Sequence, residues 1–165
     1  DEEAGGGGEV RRADLEQKGF AGWIPLLNAD ASSGLPVLPG VYAVAYQLER
    51  SKVWPAKSCG GRHKGRDPAV AAHRLDHEWV EGTDIVYLGK TDRTLHKRLS
   101  EFARFGRGEP VAHWGGRLIW QLPHVDKLLV GWRTLEVGAA TAEESVLLRE
   151  FVDACCRMPF ANLRR

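Results

Sequence analysis

The sequence predicts an α+β fold: a small central sheet, mostly antiparallel, of three strands or slightly more, flanked by helices. Three observations carry this expectation. Two runs, "VYAVAYQL" (41–48) and "DIVYLG" (84–89), have the apolar and aromatic content of buried strands. Apolar residues recur at helical spacing after residue 92 and again after residue 142. Their order, strands around one helix and then a terminal helix, is that of a small α+β layer. At 165 residues the chain suffices for one domain with a single core.

The opening "DEEAGGGGEV" is acidic and glycine-rich, so residues 1–18 are expected to be a disordered leader and residues 19–165 the single domain. "ASSGLPVLPG" (31–40) is a turn-rich loop leading into the first strand, on which Tyr42, Val44 and Tyr46 share a face. Residues 50–83 are less regular: "KSCGGRHKGRD" is a basic loop punctuated by glycine, and "PAVAAHRLDHEWV" reads as a short helix started by Pro68. The second strand should place Ile85 and Tyr87 on one face. Asp92 is a candidate cap for the next helix, whose Leu95, Leu99, Phe102 and Ala103 fall on one stripe. "RLIWQL" (117–122) and "KLLVGWRTL" (127–135), split by Pro123, are two further strand candidates. "AEESVLLREFVDACC" (142–156) is the last helix, and "RMPFANLRR" closes the chain.

No run of 18 or more apolar residues occurs, so no segment reads as a membrane span. Cys59, Cys155 and Cys156 are odd in number with two adjacent, which is not a disulfide framework and suits a reducing cytoplasm. Net charge is only +1, but it is unevenly spread. Asp1, Glu2, Glu3 and Glu9 crowd the start, while Lys90, Arg93, Lys97, Arg98, Arg104 and Arg107 face only Asp92 and Glu101 within residues 90–107. Such a patch suits a polyanion, and a solvated helix face is its plainer explanation. "CGGRHKGR" lacks the Lys-Ser/Thr ending of a P-loop and reads as a loop whose Arg62 and Lys64 contact phosphates. Cys59, His63, His73 and His77 do not have the spacing of a standard zinc finger. Trp114, Trp120 and Trp132 lie among His113, Arg117 and Arg133, where core packing is the default role and stacking on unpaired bases the alternative.

The terminal helix holds the most informative carboxylate. At about 100° per residue, Leu147, Leu148, Phe151 and Cys155 cluster on one side, and Glu144 points at the middle of that side. A carboxylate on an apolar face needs a partner for its charge, unless it merely complements the helix dipole from the first turn. Arg98 borders the Leu95-Leu99-Phe102 stripe and can turn toward the sheet edge, or pair with Glu101 three residues on. Lys90 leaves the strand over the same edge, beside Gly89, where the missing Cβ permits close approach. Two strand tyrosines, a lysine, an arginine and an inward glutamate together can hold a phosphate beside a divalent metal.

"PGVYAV" followed by "VYLGKT" resembles the paired motifs of the GIY-YIG nuclease family. Leu95-x-x-Arg98 is similar to that family's helix arginine, Glu144-x-x-Leu147-Leu148 to its metal-binding glutamate, and Pro159-x-x-Asn162 to its terminal asparagine. The resemblance spans residues 39–162. It implies a GIY-YIG-like fold and a metal-dependent endonuclease hydrolysing DNA phosphodiester bonds with one Mg2+ or Mn2+ ion. Tyr42 would deprotonate or orient the attacking water, Tyr87 would order water or phosphate, and Lys90 would help lower the Tyr42 pKa. Arg98 would balance charge on the phosphoryl oxygens, Glu144 would hold the metal, and Asn162 would brace the site. Arg93, Lys97, Arg104, Arg62, Lys64 and Arg117 would contact the nucleic acid.

The chain also departs from the family pattern. Tyr42 and Tyr87 are 45 residues apart instead of being joined by a short hairpin, so residues 50–83 are an insertion expected to grip substrate. One extra residue separates "YLGK" from Arg98. Phe102 stands where many relatives place a tyrosine or histidine, and His113 in "AHWGGR" is the candidate replacement. Glu150 is the alternative metal ligand by its spacing from Asn162. A catalytically weak nucleic-acid-binding module on the same fold is the alternative function, and a protein-binding domain is a second rival.

Overall fold

Four strands, β1 (Ala21–Pro25), β2 (Gly40–Ala45), β3 (Ile85–Thr91) and β4 (Leu129–Thr134), form one antiparallel sheet in a computed structural model, which describes residues 10–163. The strand order is β1-β4-β2-β3, so β2 lies inside and β3 is an edge. Every β2 residue is buried, as its apolar character on both faces requires. Four α-helices flank the sheet: α1 (Arg12–Gln17), α2 (Ala72–Glu78), α3 (Leu95–Gly106) and α4 (Ala140–Cys155). Among the described residues no helix is long and apolar enough to cross a membrane.

Alternation along β2 divides the core. Tyr42, Val44 and Tyr46 face Leu95, Leu99 and Phe102 of α3, whereas Val41, Ala43 and Ala45 face Leu147 and Phe151 of α4. Residues 50–83 join the first of these layers through Trp54, Leu75 and Trp79. Trp54 stacks on Phe160 and donates its indole N–H to Asp76. The buried Gln121 side chain binds Val70 N–H and the carbonyls of Pro55 and Val70, tying this connection to the body of the fold.

Several elements differ from expectation, each for a local reason. The β2–β3 ladder slips so that Val44 faces Tyr87 and Ala45 faces Ile85, leaving Val86 over. This bulge sends Val86 and Tyr87 to the α3 side and Ile85 to the α4 side, so Ile85 and Tyr87 do not share a face. Strand β1 has no simple alternation because Trp23, at φ 52°, sits where its register with β4 shifts. The Trp23 indole packs on Gly131, where an added Cβ would lie 2.6 Å from the ring. Residues 117–122 are not a strand: Trp114–Gln121 forms 3-10 turns that bury Leu118, Ile119 and Trp120. Thr94, not Asp92, caps α3 by accepting from Lys97 N–H, and Asp92 pairs with Lys90 instead. Helix α2 starts at Ala72, beyond Pro68. The expected leader is ordered from Val10, which bridges to Thr83 ahead of α1; residues 1–9 of it lie outside the described residues.

Candidate functional site

Directly across the β2–β3 ladder from Tyr42 is Gly89. The Tyr42 ring lies over this glycine so closely that an added Cβ would come within 2.5 Å of Cζ. The glycine is therefore set by the space the phenol takes. The Tyr42 hydroxyl shares a 2.9 Å hydrogen bond with His113 Nε2, and both side chains are buried. His113 stacks parallel on Phe102, with ring centroids 3.5 Å apart. Tyr87 closes the cluster, its centroid 6.0 Å from Tyr42 and 5.6 Å from Phe102. Of the four rings Tyr87 keeps the most exposure, 8%. Gly116 lies against Phe102, where an added Cβ would come within 2.8 Å of the ring, and Gly115 passes near the Tyr87 hydroxyl.

Burial dominates the electrostatics of both phenols. Burial raises the Tyr42 pKa, opposed by the Arg98 charge and by the Tyr87 hydroxyl. Tyr87 is pushed well above the usual phenol value by burial, with added repulsion from Tyr42 and Glu144 against a lowering effect of Arg98. His113 is held well below the usual imidazole range by burial and then by Arg98, so it is neutral at physiological pH. Its Nδ1 is buried without a hydrogen-bond partner.

Arg98 projects from the first turns of α3 and donates from Nη1 to Ala112 O at 2.8 Å, which fixes the backbone just before His113. Glu101 lies 3.7 Å from the same guanidinium nitrogen. Glu144, half-buried in α4, acts on both tyrosines through its charge. Glu150, the alternative ligand, is exposed and paired with Lys18, and is not among the charges that shift either phenol. Lys90 is engaged by Asp92. Asn162 does not reach the rings: its Nδ2 donates to Leu88 O at 2.8 Å and its Oδ1 accepts from Leu88 N–H at 2.9 Å. It braces β3 between Tyr87 and Gly89.

The basic helix is less available than its sequence suggests. Arg93 grips Glu101 with two bonds of 2.9 and 2.7 Å and holds that carboxyl below its usual range. Arg104 pairs with Glu109, and Arg107 forms a two-pronged pair with Asp30. Lys97 is exposed. Arg117 stacks on Trp114 instead, Arg62 lies 3.7 Å from Asp67, and Lys64 is exposed.

Comparison with known proteins adds no family, since no family model, curated protein or solved structure matches the chain. Among the described residues no three His, Cys, Asp or Glu side chains converge to form a ready metal cage. Glu144 and the two tyrosines offer only oxygen donors. Such a set suits Mg2+ or Mn2+, ions that keep several waters and take few protein ligands. Sequence reasoning missed the platform that Phe102 gives His113. The only signal for it is an aromatic residue on the inner stripe of α3.

Proposed function

We propose that the protein is a divalent-metal-dependent DNA endonuclease of the GIY-YIG type, hydrolysing phosphodiester bonds beside Tyr42 and Tyr87. The observation that carries this reading is that Tyr42 and Tyr87 pack together, 6.0 Å between ring centroids, and that the charges of Arg98 and Glu144, from two other elements, act on both phenols. The four-stranded α+β architecture and the Tyr42–Gly89 pairing support it.

Tyr42 is the general base in this reading. Its phenol oxygen is held 2.9 Å from His113 Nε2, and after losing its own proton to solvent it takes a proton from the attacking water. Arg98 eases the phenol's ionisation and then balances charge growing on the phosphoryl oxygens. Tyr87 keeps its proton and orders the water or phosphate as a donor. Mg2+ or Mn2+ on Glu144 would polarise the phosphate and stabilise the leaving oxygen. Asn162 holds the strand that carries Tyr87.

One observation favours the catalytically weak binding module instead: Tyr42 is only 1% exposed, and its burial keeps the phenol protonated. Cleavage of labelled single-stranded, duplex, flap and branched DNA with Mg2+ or Mn2+ separates the two. The nuclease reading expects Arg98→Ala and Glu144→Ala each to lose about 100-fold or more in rate, with Glu150→Ala unchanged. DNA that is bound but never cut selects the binding module. Cleavage that survives both substitutions defeats the assignment of the site.

A further inference from the structure

A second cationic cluster lies where the connection between β2 and β3 meets the 3-10 turns that follow His113. Trp114 follows His113 directly, and its indole collects Arg117 at 4.4 Å, Arg66 at 5.3 Å and the His63 ring at 5.8 Å. Arg117 also donates to Trp114 O at 3.2 Å. Arg66 is delivered by a tight turn: His63 and Arg66 exchange both backbone hydrogen bonds around Lys64 and Gly65, which have φ of 51° and 75°. Positive φ at both central residues is the geometry of a two-residue hairpin turn, and it sets Arg62, Lys64 and Arg66 close together. Arg74 of α2 is near enough for its charge to act on Arg117.

Arg62 of the turn lies 3.7 Å from Asp67, whereas the other arginines of the cluster lack the counter-charges found elsewhere in the chain. Arg50, Arg93, Arg104, Arg107 and Arg133 each pair with a carboxylate, whereas among the described residues Arg66, Arg74 and Arg117 have none within ion-pair distance. Arg117 is half-buried. Burial, and after it the charges of Arg74 and Arg66, disfavour its protonated form. Like charges assembled without counter-ions are costly alone and favourable around an anion. Planar guanidinium groups fixed on an indole match phosphate oxygens in particular.

We propose that Arg66 and Arg117 on the Trp114 ring, with Arg74 of the neighbouring α2, form a second phosphate-binding station that grips the nucleic-acid backbone beside the Tyr42–Tyr87 site. The station rests on the reading of the protein as a DNA-binding nuclease and assigns the long β2–β3 connection its task. It holds the strand through backbone charge, away from the cleaved bond.

The test measures binding of a labelled DNA duplex by the full chain at several salt concentrations, using fluorescence anisotropy without divalent metal. Arg66→Gln and Arg74→Gln change exposed residues, singly and together, and circular dichroism checks the fold. Arg12→Gln, on an arginine paired with Glu16, is the equal-charge control. Removing one cation that neutralises a phosphate should reduce the slope of log K against log salt by about 0.9, so the double variant should lose about twice that while the control keeps the parental slope. A double variant with the parental slope, or a control that loses as much, overturns the station and leaves the nuclease reading standing. A parent chain that neither binds nor cuts DNA overturns both.

Discussion

Replacing Asn162 with alanine isolates what the C-terminal segment does for the site. Strand β3 is the sheet edge, and its outward Leu88 N–H and C=O are both taken by the Asn162 amide at 2.9 and 2.8 Å. Ala161 N–H adds a bond to Val86 O at 2.8 Å, so residues 161–162 cover the edge much as another strand would. Each amide bond is worth about 1 kcal/mol net, and Leu88 is buried, so truncation should cost about 2 kcal/mol. At about 2–4 °C per kcal/mol for a domain of this size, the midpoint of thermal unfolding should fall by about 4–8 °C. Asn162→Asp keeps the acceptor for Leu88 N–H but sets a carboxylate against Leu88 O. Its deficit relative to the parent should shrink at acid pH, where a protonated carboxyl can donate. Calorimetry gives the midpoints, and amide exchange at Leu88 should speed up in Asn162→Ala. A midpoint within about 1 °C of the parent, with Leu88 still protected, would refute the brace.

Two further expectations concern the rings themselves. Gly89→Ala places a Cβ about 2.5 Å from Tyr42 Cζ, and Tyr42 is packed against Phe102, so about 1–3 kcal/mol should be lost together with the near-ultraviolet signal of the ring cluster. Unchanged urea unfolding would show that Tyr42 has room to move. His113 protonates less readily folded than unfolded, so the unfolded state binds more protons below about pH 6.5 and stability falls as pH drops through that range. The contribution has a slope of up to about 1.4 kcal/mol per pH unit. His113→Gln lacks it, so the stability gap between the two proteins should narrow from about pH 7 to about pH 5. Parallel curves would mean that His113 titrates normally.

What the sequence makes legible depends on how far apart the deciding residues lie. Alternation along 41–46 reveals the Tyr42 face because β2 is regular and buried on both sides. Helical arithmetic over 142–156 turns Glu144 inward and Glu150 outward, and the structure agrees. The bulge at Val86 is invisible to the same reasoning, since it exists only in the pairing of β2 with β3. Likewise the basic run 90–107 is plain, but the partner of Arg107 is Asp30, 77 positions away, so the free charge of the patch is overestimated. Strand β1 is hidden by Gly22 and Pro25 and by a left-handed Trp23 that only Gly131 of the neighbouring strand accommodates. Residues 117–122 have strand composition, yet Gly115-Gly116 and the three bonds of Gln121 hold them in 3-10 turns.

The two apparent departures in the ring cluster, Phe102 and His113, are best understood as one arrangement. Phe102 is fully buried and lies flat against His113, leaving no polar atom of its own to satisfy. A tyrosine or histidine there would bring a second polar group into a stack where His113 Nδ1 already lacks a partner, at a cost of about 1–3 kcal/mol if it found none. With phenylalanine, the stack presents a single nitrogen, Nε2, to the Tyr42 hydroxyl. The same burial lowers the imidazole pKa and leaves that nitrogen neutral. An apolar residue at 102 and a histidine at 113 therefore form one buried stack whose single partnered polar atom is the one that holds the Tyr42 hydroxyl.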